Sequence, residues 1–171
     1  PATFSDVSAN WVTNGSGNWE TAANWSSSPQ IPGGAPDTAG AWITFDNNGG
    51  ASTANPVVTL SQSATATGLQ FGNTSGGPAV NYTINVGLPG TTINVLSEID
   101  SFSGTNSVNV PVTTSADPFY FDVLAGSTLT IPNFADGSYG QITKYDTGTV
   151  VLGGSIHQNL TVDGTVTFMD N

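Results

Sequence analysis

The chain has 171 residues, enough for one continuous hydrophobic core, and its twelve acidic residues stand against a single lysine and no arginine, for a formal net charge of −11. This balance excludes nucleic acids and anionic lipid surfaces as partners, because both are bound through Lys and Arg. No apolar run reaches the roughly 18 residues that span a bilayer, and no apolar leader opens the chain, so we expect a soluble, mature protein without membrane insertion.

Tryptophan is concentrated near the N-terminus: Trp11, Trp19 and Trp25 lie close together, and only Trp42 lies further on. Two interpretations are open. The rings form a cap that covers one end of the fold, or they form an exposed platform that stacks on sugars. A single helical turn is predicted at 18–24, with Asn18 as its N-cap.

From Ile43 onward, short alternating runs separated by Gly-, Asn- and Asp-rich turns predict an all-β body. Apolar side chains lie two residues apart, as in Phe119, Phe121 and Val123, so one face of each strand points inward. We take 1–42 as a cap or lead-in segment and 43–171 as the body of one compact unit. Strands are predicted near 43–45, 56–60, 69–71, 82–86, 92–96, 108–112, 119–124, 128–131, 141–145, 149–152, 159–162 and 165–168. Periodicity alone leaves two architectures open, a β-solenoid and a β-sandwich or jelly roll.

The C-terminal part of the chain, from Gly140 to Phe168, resembles the autotransporter-associated β-strand repeat. The matching positions are Lys144, Gly148, Thr149, Val150, Val151, Leu152 and Gly153, with Gly164, Thr165 and Val166 closing the unit. Tyr145-Asp146 stands where the family usually has a glycine.

The opening of the chain is similar to the N-terminal region of secreted bacterial β-helix proteins that carry such repeats. The similar stretches are Gly17-Asn-Trp19, Asn24-Trp25, the Pro- and Gly-rich run 32–37, and 41–45. The resemblance implies a right-handed parallel β-helix on a cell surface, and it implies no enzyme activity.

An open solenoid end exposes apolar side chains and strand edges, which a cap or a neighbouring chain must cover. We expect the tryptophans to cap one end and Val166 and Phe168 to lie at the other, where copies of the chain stack head-to-tail. The predicted function is a secreted structural subunit of a cell-surface fibre or adhesive layer, and its partner is a further copy of itself. The alternative is a carbohydrate-binding module that uses the N-terminal tryptophans, with surface glycans as partners.

Groups able to carry chemistry are few. Glu98 and Asp100 form the only close carboxyl pair on one strand face, and a solvated face is the simpler interpretation. His157 has no nucleophile motif beside it, so no catalytic triad is predicted. Calcium at the turn from Asp46 to Gly50 is the one metal candidate, with an ordinary Asx turn as the alternative. We therefore predict no enzyme activity, no catalytic residue and no cofactor.

Overall fold

A computed structural model describes residues 1–34, 41–46, 55–72, 79–137, 140–157 and 159–169. Apart from one 3-10 turn at Ala22–Asn24, the regular structure in these ranges is β-strand, and the strands pair in parallel. The chain is an all-β parallel solenoid. This confirms the β-helix prediction over the sandwich or jelly roll, whose strands are antiparallel.

The solenoid has three strand faces, each of which receives one strand segment from each coil. From the N-terminal end, the first face contains β2 (Ala9–Asn10), β5 (Trp42–Phe45), the second half of β7 (Ala64–Phe71), the second half of β9 (Ile93–Ser101), β12 (Phe119–Val123), β14 (Gln141–Tyr145) and β16 (Asn159–Val162).

The second face contains β3 (Gly17–Asn18), β6 (Val57–Leu60), β8 (Thr83–Val86), β10 (Thr105–Val108), the start of β13 (Thr128–Asp136), the start of β15 (Thr149–Ser155) and β17 (Thr165–Phe168). The third face contains the first halves of β7 and β9, then β11 (Val112–Thr114), then the ends of β13 and β15. At its N-terminal end lies a two-stranded sheet of β4 (Ile31–Pro32) and β1 (Phe4–Ser5).

The core is a set of inward-facing rows that run along the solenoid axis. In-register parallel pairing places side chains of the same phase above one another, about 4.8 Å apart. One such row begins with Phe45 and Phe71, whose rings stack at 5.2 Å between centroids. In strands such as β5, β6 and β12, alternate residues enter the core, so the period-two pattern of the sequence corresponds to burial there.

Two predictions from sequence are corrected here. The run 108–112 is not one strand, because β10 ends at Val108 and β11 begins at Val112 on another face, with Pro111 at the corner between them. All three valines of the run are nevertheless buried, since the corner turns them all inward. The helical turn spans only Ala22–Asn24, and its N-cap is Thr21 rather than Asn18.

Candidate functional site

The tryptophan cap, formed by Trp11, Trp19 and Trp25, is completely buried, with no ring more than 1% exposed. Trp25 lies between the other two, 5.0 Å from each by ring centroids and edge-on to both. All three rings surround Phe45, the first residue of its core row, at 5.7 to 6.2 Å. The cap therefore continues the core rather than standing apart from it.

Hydrogen bonds satisfy the polar atoms of the cap. The indole nitrogen of Trp19 donates to the Pro32 carbonyl at 2.8 Å, and that of Trp25 donates to the Trp19 carbonyl at 2.7 Å. The indole nitrogen of Trp11 donates to the Gly15 carbonyl at 3.3 Å. Buried indole N–H groups need such partners, so the backbone around the cap is shaped to the rings.

On the first and third faces the N-terminal strand edges are covered as well, while β3 on the second face pairs only with β6 among the described strands. Beyond β2, residues 24–26 run antiparallel to it: the Val12 amide donates to the Asn24 carbonyl, and the Ser26 amide donates to the Asn10 carbonyl. On the third face, β1 covers the outer side of β4. This end of the solenoid is therefore covered by the tryptophan side chains and, on two of its three faces, by backbone.

Trp42 lies apart from the cap. It is half-buried on the outer side of the first face, and its Cα partner on the next coil is Gly68. A Cβ placed on Gly68 would lie 2.6 to 2.8 Å from the Trp42 ring, so the missing side chain makes room for the indole.

The opposite end differs. The terminal coil, β16 and β17, pairs with β14 and β15 on one side, and no described strand lies on its other side. Phe168 is 57% exposed on β17, its neighbour Met169 is exposed too, and Val162 is exposed at the end of β16. Val166 is only partly buried against the core. Among the described residues, nothing covers the outer backbone groups of these two strands or their exposed apolar side chains.

Lys144 is the only Lys or Arg residue of the chain, and it is fully buried beside the terminal coil. Its ammonium donates to the carbonyls of Tyr145, Asp146 and Asp163 at 3.2, 2.6 and 2.8 Å. Burial lowers its pKa, and the charges of Asp163, Asp146 and Asp122 oppose that shift. Three acceptors match the three N–H donors of an ammonium, so the group is satisfied without an ion pair.

The acidic row, formed by Glu98, Asp100, Asp122 and Asp146, lies on the outer side of the first face. Asp100 and Asp122 are Cα partners on the adjacent strands β9 and β12, and Glu98 precedes Asp100 on the same strand face. Asp146 follows β14 and is hydrogen-bonded to Asp122 through the side chains. The sequence indicated the pair Glu98 and Asp100, but only the register between strands adds Asp122.

The row is unusual in its burial. Asp100 is 6% exposed, and within the described residues Oδ1 of Asp100 and Oδ1 of Asp122 are buried without a hydrogen-bond partner. Burial raises the pKa of Asp100 to about 7, and repulsion from Glu98 and Asp122 adds to the shift. Burial likewise raises the pKa of Asp122 to about 6, with Asp146 and Glu98 adding and Lys144 opposing. Burial also raises the pKa of Glu98.

His157 is not isolated, contrary to its appearance in the sequence. Its Nδ1 lies 2.9 Å from Oδ1 of Asp136, and its backbone amide donates to Oδ2 of the same carboxylate at 2.6 Å. The Asp136 carboxylate is buried while the imidazole is largely exposed, so the pair anchors the loop after β15.

No helix in the described ranges is long and apolar enough to cross a membrane. Nor do three or more His, Cys, Asp or Glu side chains converge on a metal position in this part of the chain. The calcium candidate at 46–50 falls, after Asp46, outside the described residues. Comparison of the chain with protein-family models, curated proteins and solved structures found no match, and the resemblance to autotransporter-associated repeats stays a prediction.

Proposed function

We propose that this chain is an extracellular, non-catalytic structural subunit that assembles head-to-tail into a cell-surface fibre or adhesive layer. The single observation that carries the proposal is the difference between the two solenoid ends. Among the described residues, the tryptophan cap covers one end, whereas no strand pairs with the outer edges of the terminal coil and Phe168 is exposed at the other. An uncovered edge of this kind pairs readily with another chain.

The symmetry of the contact decides what is built. If the terminal coil of one copy meets the capped end of the next, the contact is heterologous, and repetition without closure gives a filament. If two terminal coils meet, the contact is isologous and stops at a dimer. The proposed fibre requires the first arrangement.

Composition supports an extracellular setting. The chain is acidic, nearly free of Lys and Arg, and rich in Thr, Ser, Asn and Gly, a composition typical of exported surface proteins. The solenoid scaffold suits a spacer, since each coil depends mainly on its neighbours. Fractionation of the source cells tests this part, and recovery from washed cytosol would contradict it.

Assembly is tested by negative-stain microscopy and sedimentation velocity over a range of protein concentrations. We expect filaments that lengthen with concentration. Phe168→Asp should abolish them, because it places a charge at the proposed contact. Leu88→Asp is the matched control, since Leu88 is equally exposed at 57% but lies at a corner away from the terminal coil. A monomer at high concentration, or a dimer that grows no further, would contradict the proposal.

The alternative, a sugar-binding platform of N-terminal tryptophans, requires exposed ring faces. Because Trp11, Trp19 and Trp25 are buried against each other and Phe45, the geometry does not favour that function. A glycan array with tryptophan-fluorescence quenching tests it directly.

A further inference from the structure

In the acidic row, carboxyl groups of adjacent coils face each other, and two of their oxygens are buried without a hydrogen-bond partner among the described residues. Asp100 and Asp122 are in register on neighbouring parallel strands, so their Cα atoms lie about 4.8 Å apart. Both side chains project from the same side of the first face, because Ile99 and Phe121 take the inward positions.

Two oxygens of this row have unmet bonding capacity. Oδ1 of Asp100 and Oδ1 of Asp122 are buried and have no hydrogen-bond donor among the described residues. Asp100 as a whole is more than nine-tenths buried. A buried carboxylate oxygen without a donor or a cation carries a large desolvation cost, so a native structure that retains two of them side by side calls for a ligand.

The protein itself supplies no cation to this position. Lys144 is its only Lys or Arg residue; its charge partly offsets that of Asp122, but its ammonium is already bound by the carbonyls of Tyr145, Asp146 and Asp163. The one histidine, His157, pairs with Asp136 instead. The nearest further groups, Glu98 and Asp146, add negative charge. The missing partner is therefore positively charged and comes from solution.

We propose that Asp100 and Asp122 bind a hard divalent cation of the calcium class through their two unpaired carboxylate oxygens. Carboxylate oxygens are the ligands that such ions prefer. Because three or more acidic or His side chains do not converge within the described residues, the protein provides two carboxylates and the ion keeps water at its other positions. A site of this kind is weak, with a Kd on the order of 10⁻⁴ to 10⁻³ M, which suits extracellular calcium. The site does not depend on the proposed assembly.

Isothermal titration of the full chain with calcium chloride, after removal of metal with a chelator, tests the site. A titration with sodium chloride of equal ionic strength serves as the reference. We expect one saturable site in the wild type and at least about tenfold weaker binding in Asp100→Asn and in Asp122→Asn. Both variants remove a buried charge, so they should remain folded, which circular dichroism checks.

Asp163→Asn is the matched control. It removes the same charge from an exposed side chain and leaves intact the Asp163 backbone carbonyl that binds Lys144. Its calcium affinity should equal that of the wild type. Absence of saturable binding up to about 10 mM would overturn the proposal, as would equal affinity in all four proteins or an equal loss in the control.

Discussion

Lys144 is the Cα partner of Phe121 in the ladder between β14 and β12, so a lysine continues an inward row that Phe121 occupies one coil earlier. The row runs on through Ile99 to Leu69, all of them buried. At Lys144, between Phe121 and the exposed Val162, the row contains an ammonium instead of an apolar group. This ammonium donates to two carbonyls of its own corner and to the Asp163 carbonyl of the terminal coil. The lysine therefore links the terminal coil to the preceding coil through hydrogen bonds.

Lys144→Met should lower the free energy of unfolding by about 2 to 3 kcal/mol, because the stem remains while three carbonyls lose their donor. Urea unfolding monitored by circular dichroism measures the change. Thr147→Met, at an exposed position of the same corner, should leave stability within about 0.5 kcal/mol of the wild type. If Lys144→Met were as stable as the wild type, water would be sufficient to satisfy the carbonyls.

The raised pKa of Asp100 makes stability depend on pH. Burial and the charges of Glu98 and Asp122 bring its pKa to about 7 in the folded protein, against an ordinary value near 3.8. The folded state then binds more protons than the unfolded state between these values, so stability contributed by this group is present below about pH 4 and is lost as pH rises to about 7. The Asp122 carboxyl acts in the same direction, with its folded pKa at about 6.

Asp100→Asn should remove much of the loss of stability between pH 4 and pH 7. At pH 8 it should raise the free energy of unfolding by at most about 4 kcal/mol, since each pKa unit corresponds to about 1.36 kcal/mol. Thermal unfolding from pH 4 to pH 8 in the presence of a chelator measures both curves. Asp163→Asn, at an exposed corner, serves again as the control and should follow the wild-type curve. Parallel curves for Asp100→Asn and the wild type would show that Asp100 titrates normally.

The alternation of inward and outward residues, as from Phe119 to Val123, predicted an all-β body, whereas the prediction of a solenoid rather than a sandwich came from the resemblance to autotransporter-associated repeats. Strands whose inward positions are small or polar were missed in part. The predicted strand at 92–96 continues to Ser101, which is buried although polar because it accepts a hydrogen bond from the Asn106 side chain. Hydrophobic periodicity cannot detect a buried position that is satisfied by a hydrogen bond.

Only two residues of the acidic row, Glu98 and Asp100, were predicted from the sequence, for a related reason. Glu98 and Asp100 are close along the chain, but Asp122 reaches them by pairing across coils of unequal length, with 22 residues between Cα partners here and 30 in the preceding coil from Gln70 to Asp100. Loops of variable size at the corners set this register, and no local pattern encodes it. The sequence feature that could have indicated Asp122 is its outward position on the strand, one residue after the inward Phe121, which matches the position of Asp100 after Ile99.

Trp19→Ala should lower the free energy of unfolding by about 3 to 5 kcal/mol, because it opens a cavity among Trp25, Phe45 and the surrounding backbone and removes the bond to Pro32. Chemical denaturation followed by far-UV circular dichroism measures this without relying on tryptophan fluorescence. Val12→Ala, at a half-exposed position in the same segment, is the control and should cost less than about 1 kcal/mol. A small effect of Trp19→Ala would show that the cap does not stabilise the solenoid.

The contact between Trp42 and Gly68 predicts a coupled pair. Gly68→Ala places a methyl group within 3 Å of the Trp42 ring and should destabilise the protein by about 1 to 3 kcal/mol, since the indole must leave its position over the next coil. In a Trp42→Ala background the same change meets no ring and should be neutral or slightly stabilising, because alanine restricts the unfolded chain more than glycine does. A double-mutant cycle from urea unfolding should therefore give a coupling energy of at least about 1 kcal/mol. Additive effects would mean that the indole does not rest on Gly68 in solution.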